Sequence, residues 1–245
     1  MADVPMSVLI HSPLVGPLTW RPAAACLRAL GYPAVVPSLL GVVDDDGPYY
    51  RRFASRVSDA VRQARPAGPV VLIGHSGAGS LLPAVAEAVG GVDAAVFVDA
   101  LLPHPGRSWF DTAPRKLREQ LRALAVGQRL PPWHRWFPPE AVAALLPDED
   151  TRAQFIAELP EVPVAYFEEL APSADDWPPD RCGYMQLSEA YDREAGEAEQ
   201  RGWLSVREPM DHLAMLTRPD AVAALLCWMI DALTGRRTDG MAPGH

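Results

Sequence analysis

The chain is nearly without lysine. Of its 22 basic residues all but Lys116 are arginine, and 31 acidic residues leave a formal net charge of −9. That sign argues against binding to nucleic acid or attraction to an anionic membrane. Cysteine is just as scarce. Cys26, Cys182 and Cys227 are odd in number and far apart, with no C-x-x-C pair and no metal-ligand spacing. They exclude a disulfide framework and a zinc site, and they fit reduced thiols in a cytoplasmic protein. No run approaches the roughly 18 uninterrupted apolar residues of a membrane span. The start of the chain lacks a basic segment, and Met6–Ile10 is too short for the apolar core of a signal peptide. No internal repeat is found.

What is there begins with 245 residues at 49% hydrophobic content, enough for one α/β domain with an insertion. The informative stretch is Val70-Val-Leu-Ile-Gly-His-Ser-Gly-Ala-Gly-Ser-Leu-Leu82. Val70–Ile73 is short, apolar and unalternating, as a strand buried on both faces of a parallel sheet should be. Gly74-His-Ser-Gly-Ala78 must then turn sharply into a helix. A Ser at the tip of such a turn sits in strained backbone geometry, so the residues two either side must be small. Gly74 and Ala78 meet that need, and Gly79 lets the helix pack closely. This strand–Ser–helix turn resembles the nucleophile elbow of the α/β-hydrolase superfamily, with Ala78 where Gly is usual.

The surrounding pattern agrees. Ser7–Ile10, Ala34–Val36, Val70–Ile73 and Val92–Val98 read as strands, alternating with helical patterns over Trp20–Leu30, Tyr49–Ala64 and Ser80–Val89. Such alternation implies a mostly parallel sheet covered by helices on both faces. Residues 104–180 change character. Pro103–Asp180 holds 13 of the 26 prolines, many aromatics and helical patterns at Arg115–Val126, Pro139–Leu146 and Asp150–Leu159, with no strand signal. It reads as a helical cap inserted between core segments 1–103 and 181–235. Its aromatics are expected partly to pack the cap on the sheet and partly to line a pocket, core packing being the commoner role for any single one. Cys182–Leu187 and Trp203–Val206 restore strand character around a helix at Glu194–Arg201. A last helix spans Pro219–Leu233, and residues 236–245 are expected to form a flexible tail. The acidic trio Asp44–Asp46 reads as a solvated loop, because adjacent carboxylates on one loop cannot all converge on a single ion.

A serine hydroxyl is a poor nucleophile until a base takes its proton, so the elbow predicts a histidine elsewhere. Six are present. His11 lies in the first loop and reads as a structural turn residue, His75 belongs to the elbow, His104 and His134 fall in the cap, and His245 is in the tail. His212 alone follows the last strand and precedes a helix. Its setting, Asp-His-Leu-Ala-Met-Leu-x-x-Pro, resembles the superfamily's histidine loop and implies the general base. The orienting acid is open among three residues. Asp99, at the end of the strand before the cap and four residues before Pro103, occupies the place of the acid in haloalkane dehalogenases. Glu189 and Asp192 flank the place used by most relatives.

Many relatives carry His-Gly-x after the first strand, and the backbone N–H two residues after that His helps bind the oxyanion. Here Ser12 replaces the Gly, and that donor position falls on Pro13, which has no N–H. The donors expected are Gly77 and, from a shifted loop, Leu14; otherwise the hole is weaker than usual. Ser76 at the elbow excludes the alkyl-enzyme chemistry of relatives that attack with Asp, and no Cys stands there.

The resemblance thus implies a serine hydrolase of a small ester, thioester or lactone through Ser76, His212 and Asp99, with no metal or organic cofactor. Its partner would be a small-molecule substrate, with no nucleic acid or membrane, in a monomer or homodimer. A second class is a non-hydrolytic cyclase or lyase of a biosynthetic pathway, using Ser76 and His212 as acid–base groups. A third is a binding protein built on a disabled hydrolase.

Overall fold

The structure, a computed structural model, describes residues 4–174, 177–178 and 181–236. Strands and helices alternate first as β1 (Met6–Ile10), α1 (Arg21–Ala29), β2 (Ala34–Val35), α2 (Tyr49–Ala64), β3 (Val70–Ser76), α3 (Leu82–Val89) and β4 (Val92–Ala100). An inserted stretch carries α4 (Trp109–Thr112), α5 (Arg115–Leu124), β5 (Arg129–Leu130), α6 (Pro139–Leu145), α7 (Glu149–Ala157), β6 (Val162–Pro163) and α8 (Val164–Glu168). The chain returns through β7 (Cys182–Gln186), α9 (Asp192–Gln200), β8 (Leu204–Arg207), α10 (Ala214–Thr217) and α11 (Pro219–Thr234).

Six strands form one sheet in the order β2-β1-β3-β4-β7-β8, every neighbouring pair parallel. Parallel neighbours need crossover connections, and the helices that supply them cover both faces. Side chains alternate between two cores. Leu9, Val71, Ile73, Val96 and Met185 pack with Trp20, Leu27 and Leu226, under α1 and α11. Val8, Ile10, Leu72, Phe97 and Tyr184 face the opposite way, toward Phe53 and Val57 of α2 and Leu82 and Val85 of α3. Because both faces are covered, each strand reads as an apolar run. The architecture is the parallel, helix-flanked sheet that the sequence implies.

Within the insertion the structure departs from the strand-free reading. Arg129–Leu130 and Val162–Pro163 pair as a two-residue antiparallel ribbon. Two residues on each side are too few to show a period, and Pro163, which has no N–H, argues against a strand when read alone. Two carboxylates tie the insertion to the sheet domain. Glu158 accepts from Leu18 N at 2.7 Å and pairs with Arg21 at 2.9 Å. Glu169 accepts from Tyr49 N at 2.7 Å and Tyr50 N at 2.9 Å, so its charge sits on the open N–H groups that begin α2.

Arg236 pairs with Asp231 at 3.1 Å across the end of α11, and the expected tail from residue 237 lies outside the described residues. No helix among the described residues is long and apolar enough to cross a membrane.

Candidate active site

β3 delivers Ser76 at its carboxyl end with φ 56° and ψ −125°, a conformation that non-glycine residues rarely adopt. Its neighbours are small for measurable reasons. A Cβ on Gly79 would lie 2.1 Å from Leu101 O, and one on Gly74 would lie 3.0 Å from the Leu82 side chain. Ala78 is fully buried. The turn therefore tolerates no bulk on the side where it meets β4 and the start of α3.

Next to it, β4 is irregular. His75 pairs with Val98 and Ser76 with Ala100, so Asp99 is an extra residue in the ladder, at φ 44°. A bulge of this kind re-aims a side chain. The Tyr184 hydroxyl braces the strand just beyond it, donating to Ala100 O at 2.8 Å and accepting from Ala100 N at 3.1 Å.

The re-aimed Asp99 is fully buried and saturated with donors. His212 Nδ1–H reaches Oδ2 at 2.8 Å, and the Ser188 hydroxyl reaches the same oxygen at 2.6 Å. Leu187 N and Ser188 N donate to Oδ1 at 2.8 and 2.9 Å. Burial alone would raise this carboxyl's pKa; the bond from His212, the imidazole's charge and the Ser188 and Leu187 donors outweigh it and hold the group below the usual carboxylate range. Glu189 and Asp192 are exposed, and Asp192 takes a hydrogen bond from Gln186 Nε2. Of the three acids the sequence left open, Asp99 is the one that meets the imidazole. The end of β7 supplies the two amides and the hydroxyl that hold it.

His75 supports His212 from behind. Its Nε2–H donates to His212 O at 2.9 Å, and the two rings lie 4.5 Å apart. Burial, and then the neighbouring His212, keep its pKa well below the ordinary histidine value, so it stays neutral. Trp20 meets its edge at 6.0 Å and is itself anchored by donation to Ile10 O at 3.1 Å. His11 is fully buried in the first loop, where Nδ1–H donates to Ser12 O at 2.8 Å and Nε2 accepts from Leu39 N at 3.0 Å. It fastens the loop and does not face the cavity.

The Ser76 hydroxyl has an unforeseen partner. Its Oγ lies 3.2 Å from the Tyr191 hydroxyl, and the Tyr191 ring stacks on the His212 imidazole at 5.2 Å and 11°. Among the described residues, no hydrogen bond joins Ser76 to His212. Nothing in the sequence marked Tyr191, since a single tyrosine after a strand carries no pattern. On the side of the first loop, Leu14 N donates to Ser12 Oγ at 3.3 Å. A Cβ on Gly77 would stand 2.9 Å from the same oxygen, so the Ser12 hydroxyl packs against both residues expected to hold the oxyanion.

Ser76, Gly77, Leu14, Tyr191 and His212 open onto one cavity of about 610 Å³. The insertion roofs it with Trp109, Leu117, Trp133, Trp136, Phe137 and Leu145. The expected division is seen: Trp109, Trp133, Trp136 and Phe137 line the cavity, while Phe110, Tyr166 and Phe167 are buried in the core. Sequence could not separate the two groups, because which face of a short cap helix looks inward depends on tertiary contacts. Arg193 and Glu194 lie on its wall, joined by an ion pair at 2.7 Å. Among the described residues no cluster of three or more His, Cys, Asp or Glu is placed to hold a metal ion.

A model of the alpha/beta hydrolase family matches residues 8–225. Among solved structures, an extracellular alpha/beta-hydrolase from a Paenibacillus species superposes with a TM-score of 0.72 at 21% identity, covering 91% of this chain and 98% of that one. A pyrethroid hydrolase from Sphingobium faniae JZ-2 gives 0.71 at 20%, covering 94% and 98%. Tomato methylketone synthase I, complexed with 2-tridecanone, gives 0.68 at 14%, covering 95% and 100%. At these identities the likeness is one of fold. No curated protein matches the chain by sequence.

Proposed function

Because the chain belongs to the alpha/beta hydrolase family, we propose that it is a serine hydrolase of small apolar esters, thioesters or lactones. Ser76 attacks, His212 is the general base and Asp99 orients it. The observation that carries this reading is the 2.8 Å contact from His212 Nδ1 to buried Asp99, with His212 and Ser76 on one cavity. That contact leaves Nε2 unprotonated in the neutral imidazole, able to take the Ser76 proton. The Oγ electron pair bonds the substrate carbonyl carbon, and the carbonyl electrons move to oxygen. Gly77 N–H and Leu14 N–H stabilise that oxygen once Leu14 turns from Ser12 Oγ. The imidazolium protonates the leaving group, and water repeats the sequence to free the enzyme.

The apolar roof suits a substrate whose bulk is hydrocarbon or aromatic, and the likeness to a pyrethroid hydrolase supports a hydrolytic reading. The test is hydrolysis of p-nitrophenyl esters and acyl thioesters by the native chain and by Ser76→Ala. Turnover lost in the variant supports acyl transfer; turnover that survives it sinks the assignment of Ser76.

A second reading, a non-hydrolytic lyase or cyclase, is favoured by the oxyanion side. Pro13 offers no donor and Ser12 Oγ engages Leu14 N. The likeness to methylketone synthase I fits it. Native protein that is folded, inert to every ester and unlabelled by a fluorophosphonate would favour this alternative.

A further inference from the structure

We propose that Tyr191 is a catalytic residue of this site, its hydroxyl donating to the Ser76 oxygen as that oxygen becomes the nucleophile while its ring supports the His212 imidazole. The inference rests on the reading of Ser76 as nucleophile.

Tyr191 closes a single 3₁₀ turn, Glu189–Tyr191, at the carboxyl end of β7, immediately before α9. That turn begins beside Ser188, which holds Asp99, so the same corner of the fold fixes the acid and presents the phenol. Two independent contacts place the side chain among the reacting groups: the hydroxyl 3.2 Å from Ser76 Oγ, and the ring nearly parallel to His212. It also lines the cavity, so bound substrate would meet it.

The direction of the hydrogen bond decides what the contact does. If Ser76 gave its proton to Tyr191, that proton would point away from the base. If Tyr191 gives its proton to Ser76 Oγ, the serine proton is left free to reach His212. A phenol O–H is a stronger acid than an alcohol O–H and so the better donor of the pair, which favours the second arrangement. Burial raises the phenol's pKa; the bond to Ser76 opposes this, and the nearby Asp99 and Glu194 carboxylates add to the rise, so the hydroxyl keeps its proton across the working range.

In the attack step the Ser76 proton passes to His212 Nε2, and the electron pair it leaves on Oγ forms the bond to the carbonyl carbon. Tyr191 keeps its own proton throughout. Its donation strengthens as charge collects on Oγ, and its π face lies against the imidazole as that ring becomes cationic.

The test separates hydroxyl from ring. The rate of fluorophosphonate labelling is measured against pH for the native chain, Tyr191→Phe and Tyr191→Leu, with kcat and KM on a p-nitrophenyl ester and a thermal melt to establish folding. Tyr191→Phe should label about 10- to 100-fold more slowly. It should lower kcat with KM unchanged, and leave the midpoint of the pH profile in place because the stacked ring remains. Tyr191→Leu should slow labelling further and move the midpoint down, since the imidazolium loses its aromatic neighbour. Labelling of Tyr191→Phe at the native rate would overturn the proposal, and faster labelling would show that the phenol restrains Ser76. A folded native protein that does not label at any pH would overturn the reading of Ser76 itself, and this inference with it.

Discussion

At the scale of single residues, buried titratable groups set the pH behaviour. His11 has its pKa lowered to about 4, chiefly by burial. Between the ordinary value near 6.5 and that figure the unfolded chain binds a proton that the native state refuses, so stability falls as pH drops through this window. His75, also depressed, acts in the same direction. Burial depresses His104 and His134 as well, and His11→Asn removes one group of this set. Urea unfolding at pH 7 and pH 4.5 should show a smaller acid loss in the variant, by about 2 kcal/mol; equal losses would contradict this account. Asp99→Asn tests the acid. The amide keeps an oxygen for Leu187 N and Ser188 N but turns an N–H₂ toward His212 and Ser188, forcing the imidazole to the other tautomer. Ester turnover should fall by about 10³–10⁴ with little change in melting temperature. A fall below tenfold would reassign the role. At this scale the sequence was legible where chemistry constrains neighbours, as the small residues flanking Ser76 do. It was silent on Tyr191, because a stacking contact between residues far apart in the chain leaves no local trace.

At the scale of elements, the sheet's alternation was plain because both of its faces are buried. Bulges and ties were not. Asp99 reaches His212 through an extra residue in the β3–β4 ladder, and register cannot be read from one strand. The same holds for Glu169, an unremarkable acid in the cap until folding sets it against the N–H groups of Tyr49 and Tyr50. Glu169→Ala leaves those two donors at the start of α2 without their carboxylate. Thermal or urea unfolding should register a loss of about 1–3 kcal/mol, with Glu169→Gln recovering part of it through its remaining oxygen. An unchanged melt for the alanine variant would mean that water replaces the carboxylate at no cost.

At the scale of the whole molecule, Ser76, His212 and Asp99 belong to the sheet domain and most of the apolar lining of the cavity to the insertion, so on the proposed reading substrate range and chemistry are separable by mutation. Leu117→Trp adds bulk to the cavity without touching Ser76, His212 or Asp99. Across a p-nitrophenyl ester series, acetyl turnover should persist while octanoyl turnover falls by about tenfold or more. A uniform fall across the series would instead indicate disturbed chemistry.

The way the insertion is attached has a mechanical consequence. It leaves the sheet beyond Ala100 and re-enters at Arg181, whose carbonyl accepts from Ala95 N at 3.0 Å. Five residues of strand, about 16 Å of rise, therefore separate the two anchor points along the sheet. A cover fixed at one level could swing as a door about a single hinge axis. This one is a strap, fastened at two heights and tied again to the sheet domain by Glu158 and Glu169. With both buckles and both carboxylate ties closed, a wider way in to Ser76 would come from bending within the strap.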